Sequence, residues 1–98
     1  MIESNDIDGR CTEIRHLMSS GKVSNSLKRL MDFVSDFSDD KSHRNEVTVI
    51  SANFRSVEQA ERRRSLSFQE AQKERNDLLY QALSLLDEVV ETLYPEAV

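Results

Sequence analysis

The chain has 98 residues, 38 % apolar and 32 % charged, with a net charge of −5 and a pI near 5.0. That length holds one domain rather than two, and the acidic balance excludes a general binder of nucleic acid or anionic membranes, both of which require positive potential. Two glycines and one proline leave too few turn formers for an all-β fold, so the expected class is all-α, a small antiparallel bundle of about four helices.

Residues 1–7 are polar at their start and are expected to form a flexible N-terminus, followed by one helical domain over 8–94 and a short tail at 95–98. Met1 to Asp6 is acidic where a secretion signal would be basic and then apolar, and no apolar run approaches the roughly 20 residues of a membrane span. The expected location is the cytoplasm. The first helix is expected to start near Asp8 as its cap and to carry Cys11, Ile14, Leu17 and Met18 inward. Cys11 falls in helical register with Ile7, Ile14 and Met18, which makes it a small core residue rather than a reactive thiol. Ser19-Ser20-Gly21 ends this helix, with Gly21 suited to a left-handed closing position.

The second helix begins between Val23 and Asn25 and shows Leu27, Leu30, Met31, Val34 and Phe37 on one face. Ser38 to Ser42 reads as a linker of turn formers and charges. From Ser42 or His43 the third helix runs to Arg64 with Val47, Ile50, Phe54 and Val57 inward. Ser67 and Glu70 form a capping-box pattern that starts the fourth helix, which runs to about Tyr94. Its inward positions are Phe68, Ala71, Arg75, Leu79, Ala82, Leu86, Val89 and Leu93. The last two helices form a hairpin, and the first two cover its apolar face. Folding that hairpin near Leu66 sets Phe54 against Leu79, Ile50 against Ala82, Val47 against Leu86, and Arg75 near Glu58. A charge in a core-facing slot is costly without a partner, so Arg75 is expected to pair with Glu58 or Glu61.

The chemistry-bearing residues are sparse. Glu13 and His16 give one Glu-x-x-His spacing, but they face away from Ile14, and a di-iron bundle needs two such motifs pointing inward. No Gly-rich phosphate loop or supported Ser-His-Asp or Cys-His set is present. No catalytic, metal or cofactor residue is assigned, and the chain is read as a non-enzyme. What remains is charge. Arg62, Arg63 and Arg64, with Arg55 two turns earlier, sit at a helix C-terminus that favours cations. Asp36, Asp39 and Asp40 fall at the opposite pole, together with Asp87, Glu88 and Glu91, where they oppose the helix dipoles. The acidic pole reads either as a solvated, solubilising end or as one half of a head-to-tail contact between a basic and an acidic pole. In the second reading the interface candidates are Arg62, Arg63 and Arg64 against Asp39, Asp40, Asp87, Glu88 and Glu91.

Four stretches carry a resemblance to a known family: Ile14-Arg15-His16-Leu17-Met18-Ser19-Ser20-Gly21, Asn45 to Ser51, Glu61-Arg62-Arg63, and Glu74 to Glu88. In order and spacing they resemble the effector-associated domains of the eleventh type, small helical domains of bacterial conflict and signalling proteins, over about residues 14 to 90. The resemblance implies an adaptor role comparable to death-like domains. A copy on a sensor or ATPase would recognise a like copy on an effector, such as a protease, TIR or nuclease module. It implies no catalytic residues and no cofactor. The family pattern has a glycine in the turn between the third and fourth helices, where this chain has Ser65-Leu66-Ser67-Phe68. The alternative reading is a scaffold or regulatory module that binds a different protein partner, for instance an amphipathic helix in a groove.

Overall fold

The computed structural model describes residues 4–93, with side chains from residue 7 onward. Four helices occupy them: α1 (Ser4–Ser19), α2 (Val23–Phe37), α3 (Lys41–Arg62) and α4 (Phe68–Leu93). Among the described residues there is no strand. The expected ends at Met1 to Glu3, at Tyr94 and in the tail 95–98 lie outside this range.

The first helix starts earlier than its sequence suggests. Asp8 is an exposed residue within α1, not its cap, and residues 4–7 are helical. The reason lies in the register: Ile7 is buried together with Cys11, Ile14 and Met18, so the apolar stripe begins one turn before Asp8. The helix closes at Gly21 (φ 79°). There Lys22 N–H donates to the Leu17 carbonyl at 2.9 Å and Gly21 N–H to the Met18 carbonyl at 3.1 Å, a paired C-terminal closure.

Between α2 and α3 the linker has an interior anchor. Ser38 and His43 are both buried, and Ser38 Oγ lies 2.7 Å from His43 Nδ1. His43 Nε2 is 3.5 Å from the Glu88 carboxylate, which ties the linker to α4. Asp40 caps α3 by accepting from Ser42 N–H at 2.9 Å and from the Ser42 hydroxyl at 2.7 Å.

The third helix ends at Arg62, two residues short of expectation, because the chain turns over there. Arg63 is the cap, and Arg64 takes the left-handed conformation (φ 61°). Arg64 N–H donates to the Glu61 carbonyl at 3.0 Å and Ser65 N–H to the Ala60 carbonyl at 2.8 Å, repeating the closure of α1 with arginine in glycine's place. An L side chain there costs about 1–2 kcal/mol, part of which glycine returns as unfolded-state entropy. Arg64→Gly is therefore expected to stabilise the domain by about 0.5–1 kcal/mol in urea unfolding; a variant less stable than the parent would show that the arginine side chain itself holds the turn. The fourth helix opens with the expected capping box. Glu70 N–H donates to Ser67 Oγ at 3.1 Å, and Ser67 N–H donates to Glu70 Oε1 at 3.2 Å.

Helix α3 packs along α4, α1 packs on α2, and α2 lies across both arms of the hairpin. One core joins all four helices, with Ile14, Leu30, Phe33, Val34, Val47, Ile50, Ala82, Leu85, Leu86 and Val89 almost fully enclosed. The hairpin register holds where charge reports it: Arg75 Nε donates to Glu58 Oε1 at 3.1 Å, and its Nη2 pairs with Glu61. Burial works against the Arg75 charge, but the hydrogen bonds and charges of Glu58 and Glu61 outweigh it and push its pKa upward. Two expectations for α4 change. Phe68 is 70 % exposed rather than inward, and Leu78 and Leu85 are buried where Leu79 is only half-buried.

Candidate interaction surface

The ends of the bundle differ in charge because the two arms run antiparallel. Helix α3 spans 22 residues, about 33 Å at 1.5 Å per residue. Arg62, Arg63 and Arg64 lie exposed at its C-terminal end. Asp39 and Asp40 stand at its N-terminal end, and the 3.5 Å approach of His43 to Glu88 brings the last third of α4 to that same end.

Within the acidic end the carboxylates do different things. Asp40 caps α3, and the bonds from the Ser42 hydroxyl and amide, together with the charge of His43, hold its carboxyl below the ordinary value of 3.8. Asp87 accepts from Arg15 at 2.7 Å and ties α4 to α1. Asp36 accepts from Arg10 at 2.7 Å, while the same guanidinium lies 5.7 Å from the Phe33 ring centre and 5.1 Å from that of Phe37. Asp39 and Glu91 are exposed and make no ion pair among the described residues. The candidate acids thus divide into Asp40 and Asp87, which are engaged by Ser42 and Arg15, Glu88, which meets the His43 imidazole, and Asp39 and Glu91, which make no ion pair among the described residues.

Two features of the surface are not carried by the charge runs of the sequence. An open groove of about 790 Å³ lies between the first half of α2 and the second half of α3. Leu27, Met31 and Phe54 supply its apolar lining, and Lys22, Lys28, Arg55 and Arg62 are exposed around it. No acid lies within 4 Å of these four cations among the described residues. At the other end a shallow depression between α3 and α4 is lined by Glu46, Ser84, Leu85, Asp87, Glu88 and Glu91. Its neighbours include two large exposed apolar side chains. Val49, 56 % exposed, follows Glu46 by three residues on α3, and Tyr80, 73 % exposed, precedes Ser84 by four on α4, so each shares a helix face with the depression. Phe68, at the start of α4 and four residues beyond Arg64, is a third large exposed apolar side chain.

Glu13 and His16 are both exposed, and Glu13 is engaged by Arg29 at 3.0 Å. Among the described residues no group of three or more His, Cys, Asp or Glu side chains is placed to hold a metal ion. Cys11 is buried, and that desolvation pushes its thiol above the ordinary 9.0, so it stays protonated at neutral pH and serves the core. No helix among the described residues is long and apolar enough to cross a membrane.

Four short-looped helices on one apolar core define a small helical bundle. The chain belongs to the effector-associated domain 11 family, whose model matches residues 10–90. Membership makes it an adaptor-like domain of the kind associated with effector proteins. No curated protein and no solved structure matches the chain.

Proposed function

We propose that this chain is a non-enzymatic adaptor that binds a like domain, and that it couples a sensor or ATPase to an effector in a bacterial conflict or defence system. It works in the cytoplasm, without a cofactor, nucleic acid or membrane. The observation that carries the reading is the placing of exposed Arg62, Arg63 and Arg64 at one end of the hairpin and of exposed Asp39, Glu88 and Glu91 at the other, where Lys41 and Arg44 offset only part of the acidic charge. Such an arrangement lets the basic end of one copy meet the acidic end of the next, a heterologous contact that propagates as a ring or filament. Complementary charge also steers encounter and fixes register.

Self-association of the purified domain, followed by light scattering across a salt series, tests this. Arg62→Glu with Arg63→Glu is expected to weaken association and to flatten its salt dependence, since contacts between exposed charges weaken as the Debye length falls to about 8 Å at physiological salt. Assembly that ignores both the substitutions and the salt would remove the charged ends from the mechanism. The groove between α2 and α3 favours a second reading, in which a different protein docks a helix there; a strictly monomeric wild-type domain at high concentration would favour it.

A further inference from the structure

Resting on the like-to-like reading above, we infer which surfaces meet: the groove between α2 and α3 of one copy receives the Val49–Tyr80 face of a second copy, with Lys22, Lys28, Arg55 and Arg62 opposite Glu46, Glu88 and Glu91. The two surfaces match in three respects. The groove is concave and apolar along Leu27, Met31 and Phe54, and the opposing face carries two exposed apolar side chains, Val49 and Tyr80, that would fill it. Of the groove's five basic side chains, Arg75 is paired with Glu61 and with Glu58, which also lines the groove, while the other four, Lys22, Lys28, Arg55 and Arg62, have no acidic partner among the described residues. Glu46 and Glu91 likewise have none, and Glu88 meets only the imidazole of His43 at 3.5 Å.

A second copy is the occupant that the charges select. An apolar segment without acids would leave four desolvated cations around its edge, and a basic segment would be repelled. The α3–α4 depression supplies acids on two helices at fixed spacing, beside the apolar groups that the groove requires. The contact is heterologous, since each copy offers one groove and one acidic face, and a chain of copies can therefore grow from it. It also sorts the cations by task. Lys28 and Arg55 at the groove matter, while Arg64 at the tip of the hairpin does not.

Sedimentation equilibrium of the full chain tests the inference with three charge-altered variants, each checked for an unchanged helical signal and melting temperature. Lys28→Glu/Arg55→Glu reverses the groove, Glu46→Lys/Glu91→Lys reverses the acidic face, and Arg64→Glu/Lys73→Glu changes net charge as the groove variant does but away from it. Each of the first two variants alone is expected to self-associate at least about tenfold more weakly than wild type, the third within about threefold of it. Mixing the groove variant with wild type retains one productive contact per pair. Combining both reversals in one chain restores self-association, because the charges are again opposite.

Loss of association by Arg62→Glu/Arg63→Glu together with an unaffected groove variant would overturn this inference and leave the charged-end reading standing. Equal weakening by the groove variant and by Arg64→Glu/Lys73→Glu would also overturn it, as a general effect of net charge. A wild-type chain that stays monomeric throughout overturns both.

Discussion

Phe33→Ala is expected to lower the unfolding free energy by about 3–5 kcal/mol, the largest effect of any single truncation in the domain. The side chain has no exposed surface and lies where α2 meets the hairpin and α1. Its ring centre is 4.9 Å from that of Phe37 at an interplanar angle of 55°, a tilted pair that adds to simple burial. The Arg10 guanidinium sits over both rings and is held there by Asp36. Truncation therefore removes buried area, leaves a cavity under a charged lid, and loosens the contact that ties α1 to α2. Against a total of roughly 5–15 kcal/mol for a domain of this kind, such a loss leaves little reserve. Phe33→Leu keeps most of the volume and is expected to lose only about 1–2 kcal/mol, which keeps the measurement possible if the alanine variant does not fold. Urea unfolding curves for the two should rank in that order. A Phe33→Ala loss no greater than that of the half-buried Phe37→Ala would mean that the ring is not the keystone its burial implies.

Phe33 also marks the limit of reading a helix as one stripe. Leu27, Leu30, Met31, Val34 and Phe37 lie along a single face, and periodicity alone finds them. Helix α2, however, touches α1, α3 and α4. Its buried arc is wider than one stripe, and Phe33 falls in the added sector. Leu78 and Leu85 on α4 follow the same logic, since that helix also contacts the other three. Phe68 shows the converse. Its position matches the inward register, but it is the first residue of α4, and periodicity gives the direction of a side chain without saying whether a neighbour reaches that level. Local chemistry is more legible, because its partners are close in sequence: the Ser67 and Glu70 box and the Gly21 closure follow from short-range rules. The pairing of Arg75 with Glu58 and Glu61 spans 17 and 14 positions, and it is legible only because a single short turn fixes the hairpin register and a core-facing charge needs a partner.

The candidate surface divides in the same way. Runs such as Arg62-Arg63-Arg64 and Asp39-Asp40 stand out in sequence because they are contiguous. The groove cations Lys22, Lys28, Arg55 and Arg62 come from separate elements and assemble only when α2 is laid beside α3. Likewise, nothing near Asp87 in sequence marks Arg15 as its partner, 72 positions away. Tertiary pairing engages Asp87 with Arg15, and the local cap engages Asp40 with Ser42, so both differ from the acids that charge counting would treat alike.

The second large effect is expected at Arg75, which links the core to the groove it helps line. Its side chain is 15 % exposed, and it forks between Glu58 and Glu61, whose side chains are 37 % and 26 % exposed. Exposed ion pairs are worth about 0.2–1 kcal/mol and breaking a fully buried one costs about 3–5 kcal/mol, so this intermediate site should lose about 2 kcal/mol in Arg75→Ala. Much of that loss comes from what is left behind. Two carboxylates three residues apart near the C-terminal end of α3 repel each other and face the negative end of the helix dipole. Arg75→Lys should recover only part of the stability, because an ammonium is a point charge and cannot bond both carboxylates in a planar fork. Adding Glu58→Gln and Glu61→Gln to Arg75→Ala should restore most of the loss, since the orphaned charges then disappear. Chemical unfolding of this series separates the two causes: a triple variant no more stable than Arg75→Ala would assign the loss to the packing of the arginine stem rather than to charge.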